Sequence, residues 1–242
     1  MFFVAEMSVK TAPDKAPDRI AGMFDTIAPR YDLLNHVLSA GIDRRWRDRA
    51  LRSLGLTGRE TLLDVCTGTA DVALQAHDAV RVVGIDFAAA MLSVGARKLR
   101  AAGEDRRITL VRGDATRLPV RDGTADVATV AFGIRNVERP DLACAELARV
   151  IRHGGRLAIL EFGVPRVPGI STLYLWYFKY LLPSVGRMVS GHTAAYSYLP
   201  ASVGTFPPPH EFMAILEQAG FAHVRADPLT FGIVYLYTAT KR

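Results

Sequence analysis

The chain has 242 residues, 50% hydrophobic and 22% charged, which suits one sizeable α/β domain and excludes a largely disordered chain. Its two cysteines, Cys66 and Cys144, stand in no metal-ligand or redox spacing, and the start MFFVAEMSVK lacks the basic leader and cleavage site of a signal peptide, so the cytoplasm is the expected compartment. The formal charge of +6 is compatible with nucleic acid, an anionic membrane or solubility alone, and decides nothing until the charges are placed.

Residues 1–20, with Thr11-Ala12-Pro13 and Ala16-Pro17-Asp18, read as a flexible arm ahead of a single domain over 21–242. Helical spacing begins behind it. Met23, Phe24 and Ile27 share a face, Pro29 interrupts, Leu33, Leu34, Val37 and Leu38 continue to Gly41, and a third segment over 43–54 carries Arg44, Arg45, Arg47 and Arg49 around Trp46. Residues 21–55 are therefore expected to form a helical cap. From Thr61, apolar runs over 62–66, 80–85, 108–111, 127–132 and 157–162 alternate with helical stretches over 72–77, 88–100 and 141–151. Such alternation predicts a parallel sheet covered on both faces. A helix over 210–218 precedes two β-rich runs, 221–226 and 231–239, joined closely enough to be a hairpin. The fold class is thus α/β, a seven-stranded, mostly parallel sheet whose C-terminal strand is antiparallel.

The stretch LLDVCTGTAD over 62–71 reads as a strand entering a tight turn that opens a helix, a place for an adenosine-bearing cofactor. The turn supplies Gly68 without the G-x-G-x-x-G of a dinucleotide site, and Asp64 and Asp71 flank it. Carboxylates there would repel a pyrophosphate but welcome S-adenosylmethionine, which carries an ammonium, a sulfonium and no phosphate. Asp86 closes the second strand, where an acid accepts ribose hydroxyls, and Asp114 closes the third, near an adenine amine. Each alone is an ordinary turn or N-cap residue. Three acids at three strand ends facing one crevice favour the cofactor, with no metal.

LLDVCTGTAD, VVGID, RGDATRLPV and GGRLAILEF resemble the class I S-adenosylmethionine-dependent methyltransferases, which implies a Rossmann-like fold. MFDTIAPRYDLLNHVLSAGIDRRWR over 23–47, AFGIRNV over 131–137, LEFGVP over 160–165 and AYSYLPASVGTFP over 195–207 are similar to the demethylmenaquinone and polyprenyl-benzoquinol C-methyltransferases of quinone biosynthesis. The turn over 66–71 departs from the Gly-Gly-Thr-Gly-Asp form of many ubiquinone-pathway members and is closer to menaquinone-pathway ones. Its Ala70 is expected to leave less room beside the methionine moiety. The resemblance implies methyl transfer from S-adenosylmethionine to a ring carbon of a prenylated hydroquinone, leaving S-adenosylhomocysteine, with demethylmenaquinol the preferred acceptor.

The expected cofactor residues are Asp64, Gly68, Thr69, Asp86, Asp114 and Ala115. Arg135, at the end of the fourth strand, is the candidate for a fixed charge aimed at the developing phenolate. Its alternative is a capping role, ion-paired to Glu138 or Glu161. Tyr31 either relays a proton through water or anchors the cap to the body. Asn136, His192 and Tyr196 are expected to contact the acceptor. No Asp or Glu occurs from Phe162 to His210, and residues 165–205 are read as an insert forming part of the acceptor pocket. Its aromatic run over 170–182 is shorter than the roughly 20 residues needed to span a bilayer. That run either packs on the body or meets the membrane interface at its inner face. Nucleic acid is not expected, because the RRWRDR run is interrupted by acid and no Asn-Pro-Pro-aromatic turn is present. An NAD-dependent oxidoreductase, an RNA methyltransferase and a non-enzymatic lipid-quinone binder are the competing readings, and a homodimer is left open.

Overall fold

The apolar runs fold into one sheet built from β1 (Thr61–Val65), β2 (Arg81–Asp86), β3 (Ile108–Arg112), β4 (Ala125–Ala131), β5 (Ile151–Phe162), β6 (Phe221–Leu229) and β7 (Val234–Lys241), ordered β3-β2-β1-β4-β5-β7-β6. The computed structural model describes residues 14–39, 41–165, 169 and 194–242. Strands β1 to β5 run parallel, and β7 is antiparallel to both β5 and β6. The hairpin forms as expected, with its second strand inserted between β5 and β6. Strand order reverses at β1, so the turns leaving β1 and β4 diverge and open a crevice at their carboxyl ends.

Eight helices are described: α1 (Pro17–Ile27), α2 (Tyr31–Leu38), α3 (Ile42–Ser53), α4 (Asp71–Gln75), α5 (Ala89–Ala102), α6 (Pro140–Val150), α7 (Ala194–Thr205) and α8 (Pro209–Gln218). Strand β1 is buried on both sides because helices cover both faces. On one face, Leu147 of α6 and Phe212 and Leu216 of α8 pack with Leu63, Val65 and Leu157. On the other, Trp46 and Leu51 of α3, Val72 of α4 and Leu99 of α5 pack with Leu62, Val82 and Leu160. No helix among the described residues is long and apolar enough to cross a membrane.

Three boundaries differ from the sequence reading. Helix α1 starts at Pro17, inside the expected arm, because proline suits the first helical position and Ile20, 2% exposed, has a core to enter. Strand β5 begins at Ile151 rather than 157, and its flexible-looking Gly155 fits tightly, since a Cβ there would stand 2.4 Å from Ile151 Cγ2. Strand β6 continues through Pro228 because it is an edge strand, where a missing N–H costs no ladder bond.

Charged and polar contacts hold the cap in addition to its packing. Asp25 of α1 accepts the Ala90 N–H at 2.8 Å, capping α5 across space where Ala88 has no side chain able to do so. Lys98 of α5 pairs with Asp32 of α2 at 2.7 Å and with Asp71 of α4. Arg47 of α3 joins Asp43 at 3.0 Å and Asp71 at 3.2 Å, and the Trp46 indole donates to Thr230 Oγ1 at 2.9 Å. The third helix is thereby fixed between the cofactor-side turn and the β6–β7 connection.

Candidate active site

The turns after β1, β2, β3 and β4, roofed by α1 and Tyr31, enclose a cavity of about 390 Å³. That is the size range of small-molecule sites, roughly 300–1,000 Å³. Its floor depends on two closely opposed turns. A Cβ on Gly133 would lie 2.3 Å from Cys66 Cβ, so only glycine lets the β4 turn approach the β1 turn. Cys66, Ala70 and Phe132 adopt φ of +57°, +66° and +60°, which is strained for residues other than glycine and marks a turn held by its surroundings.

Gly68, Asp86, Asp114 and Ala115 line the cavity. Asp86 Oδ2 accepts the Gly68 N–H at 2.8 Å and Oδ1 the Ala88 N–H at 2.9 Å. One carboxylate thus locks the β1 turn to the start of α5, and each oxygen keeps a lone pair for a ligand. Burial raises its pKa above the ordinary value. Asp114 Oδ1 accepts the Thr116 N–H and hydroxyl at 2.8 and 2.9 Å, which aims the side chain into the cavity wall. Phe87 and Met91 supply apolar surface beside them.

Three acids and hydroxyls from β1 and the turn after it stand outside the cavity lining. Asp64 does not line the cavity. It is 1% exposed, and its two oxygens accept the Thr67 hydroxyl at 2.6 Å and the Thr129 hydroxyl at 2.8 Å, joining β1 to its own turn and to β4. Asp71 also faces away, neutralised by Lys98 and Arg47. Thr69 donates to Asp32 and lies outside the lining, so it belongs to the cap's attachment. Ala70 does not narrow the cavity either: it is fully buried and absent from the lining, and a Cβ built on Gly95 of α5 would stand 3.3 Å from its methyl.

Burial pushes the Asp64 carboxyl up to about 6, against which the two hydroxyl hydrogen bonds act. A carboxyl that holds its proton more tightly folded than unfolded makes stability fall as pH rises from the unfolded value, 3.8, through about 6. Asp64→Asn can keep both threonine contacts without the charge. It is expected to stabilise the protein by about 1–3 kcal/mol at pH 8 and by nothing near pH 4, measured by urea unfolding at both pH values.

Tyr31, Gly133, Asn136 and Lys15 also line the cavity. Tyr31 meets Phe24 edge to face with centroids 6.1 Å apart, and burial raises its phenol pKa against a hydrogen bond with Asn35. It is therefore both an anchor of the cap and a wall of the cavity. Asn136 is 8% exposed and its Oδ1 is buried without a protein partner among the described residues, an acceptor placed for a ligand donor. Arg135 takes the ion-paired alternative. Its Nη1 donates to Glu161 Oε1 at 2.7 Å and to the Phe132 carbonyl, its backbone N–H donates to Glu161 Oε2 at 3.0 Å, and its guanidinium lies 5.3 Å from the Phe162 ring centroid. Glu161 is 0% exposed and also accepts the Phe162 N–H at 2.8 Å. Arg135 does not line the cavity, and its buried Nε–H lacks a partner among the described residues. His192 lies outside the described residues, and of Tyr196 only the backbone, in α7, is described.

Sequence reasoning missed Lys15, which sits in the supposed arm, and Thr129, whose hydroxyl reads as an ordinary strand residue. Glu161 carried a usable signal, a lone acid within the apolar strand LAILEF.

A sheet reversing at β1, a ligand cavity over its carboxyl edge, a buried acid closing β2 and an antiparallel β7 between β5 and β6 define a Rossmann-like methyltransferase fold. A solved structure described as the [4+2]-cyclase SpnF superposes with a TM-score of 0.71 at 19% identity, covering 95% of this chain and 97% of that one. Residues 12–241 match the ubiE/COQ5 methyltransferase family, and the chain belongs to it. A relative from Syntrophotalea carbinolica, named ubiquinone/menaquinone biosynthesis C-methyltransferase UbiE, is 48% identical over 90% of this chain and 92% of its own. A Bacteroides fragilis relative, named demethylmenaquinone methyltransferase, is 40% identical over 94% of each.

Proposed function

We propose that the protein methylates a ring carbon of a reduced, prenylated quinone with S-adenosylmethionine as donor, converting demethylmenaquinol to menaquinol in menaquinone biosynthesis. The observation that carries the choice of donor is the commitment of Gly68 N–H to Asp86. A dinucleotide's pyrophosphate needs a free backbone donor at this turn, whereas an adenosine needs the carboxylate that occupies it. Asp86 would hold the ribose hydroxyls, Asp114 and Ala115 the adenine edge, and Phe87 and Met91 its faces. The donor supplies an electrophilic methyl on a sulfonium, so the chain must align it with the acceptor and exclude water.

At the acceptor end, Asn136 Oδ1 accepts a hydrogen bond from the quinol, and Tyr31, a neutral phenol at working pH, closes the roof and relays protons. The Arg135–Glu161 pair lies behind the lining, and the arginine would act on the developing oxyanion through its field and not by contact. His192 and Tyr196 remain the expected acceptor contacts, and the aromatic run over 170–182 is expected either to pack on the body or to meet the membrane interface.

The test is incubation with methyl-labelled donor and, separately, reduced prenylated naphthoquinol and benzoquinol, with products identified by mass. Ring-methylated naphthoquinol is expected to dominate. Thermal stabilisation by NAD but not by S-adenosylmethionine, with neither quinol methylated, would overturn the reading.

A further inference from the structure

Ring methylation requires a phenolate, because a neutral quinol carbon is a weak nucleophile, and so some group must take the hydroxyl proton. Arginine side chains hold their proton too tightly to act as bases, and Arg135 is already paired with Glu161. Three cationic side chains line the cavity. Arg112 donates to the Phe87 carbonyl at 3.1 Å and Arg139 pairs with Asp141 at 2.6 Å. Lys15 alone of the three makes no hydrogen bond or ion pair among the described residues, and it lines the cavity together with Gly133 and Asn136, close enough to Arg135 and Glu161 to feel their charges.

The residue is placed by its neighbours. Asp14 Oδ1 accepts the Ala16 N–H at 2.9 Å, and the Ala16 carbonyl accepts the N–H groups of Arg19 and Ile20 at 3.0 and 3.1 Å. These bonds fix the entry into α1 and leave the Lys15 side chain over the cavity. We propose that Lys15 is the base that removes the acceptor's phenolic proton and then holds the phenolate, a role that rests on the methyltransferase reading above.

The electrostatics agree. Burial and the Arg135 guanidinium lower the Lys15 pKa, opposed by Glu161, whose charge is shared with Arg135. The other ionisable side chains lining this cavity are Asp18 of α1, Tyr31 of α2, Cys66 after β1, Asp86 and Arg112 at the ends of β2 and β3, Asp114 past β3, and Glu138 and Arg139 before α6, while Tyr198 of α7 also feels Arg135 and Glu161. The neutral Nζ takes the hydroxyl proton, breaking O–H and forming N–H. The ring carbon's electron pair then forms the new C–C bond as the sulfur–methyl bond breaks, with the bonding pair left on sulfur. The resulting dienone loses its ring proton to water and recovers the hydroxyl proton from Lys15, so one proton is released per methyl transferred.

The test uses the full-length protein and reduced prenylated naphthoquinol. Lys15→Met is expected to lower kcat about 100-fold or more, with S-adenosylmethionine affinity and quinol KM changed less than threefold, and Lys15→Arg is expected to be no better. Lys15→Cys treated with bromoethylamine restores an amine and should recover activity, with the acid limb of the kcat/KM profile moved to lower pH because the thioether lowers that amine's pKa. Wild-type-like kcat in Lys15→Met, full activity in Lys15→Arg, or an acid limb unmoved in the aminoethylated protein overturns the proposal. If a variant does not fold, the wild-type protein decides: kcat/KM flat from pH 6 to 9 also overturns it. Failure of the unmodified protein to methylate any quinol would instead count against the reading of its function.

Discussion

Arg135→Ala should lose both stability and turnover, and a second substitution should separate the two losses. Glu161 is wholly buried and takes the arginine's Nη1 hydrogen bond at 2.7 Å. Removing one partner of a buried ion pair leaves an uncompensated charge, which costs about 3–5 kcal/mol. Turnover should fall about 100-fold or more, as for other lost oxyanion-stabilising groups. Affinity for S-adenosylmethionine should change little, because Arg135 does not line the cavity. Adding Glu161→Gln removes the stranded charge, so urea unfolding of the double variant should return toward wild type while single-turnover methyl transfer stays slow. Recovery of both would make the pair a structural device, and an unchanged rate in Arg135→Ala would remove the arginine from the chemistry.

Asp86→Ala should act oppositely, chiefly on cofactor binding. The carboxylate fixes the Gly68 and Ala88 amides and offers its remaining lone pairs to the cavity. Hydrogen bonds to a charged acceptor contribute about 1.5–3 kcal/mol each, so losing both ribose contacts should weaken S-adenosylmethionine about 100-fold or more. Calorimetric titration reads this directly. Stability should fall less than in Arg135→Ala, because the freed amides adjoin an open cavity that water enters. Asp86→Asn should fall between, since it keeps acceptors but not charge. Because burial raises this carboxyl's pKa, affinity should also decline on acidification through that raised value, and the decline should vanish in Asp86→Asn. Unaltered affinity in Asp86→Ala would detach the β2 acid from the ribose and remove the main support for an adenosine donor.

The elements themselves were legible because their signals are local. Apolar runs of strand length, helical spacing in the cap, and the short link between the last two runs each report on neighbouring residues. The cavity acids Asp86 and Asp114 were legible for the same reason: a strand end followed by a turn puts a carboxylate at the sheet's mouth whatever the rest of the chain does. Lys15 was hidden by its company. Prolines at 13 and 17 read as a loose arm, although Pro17 serves equally well as the first residue of a helix.

What the sequence determined by itself was the class of sheet, the position of its ligand-bearing turns and the acids that close β2 and β3. Only the tertiary structure decided where the remaining charges point. Asp64 meets Thr129 across 65 positions, Asp71 meets Lys98 across 27, and Arg135 meets Glu161 across 26. A side chain's charge is a property of its residue, but whether that charge is open to a ligand depends on which distant partner reaches it first. Packing sets that, because a charge taken out of water must find an opposite charge or a hydrogen bond within a few ångströms.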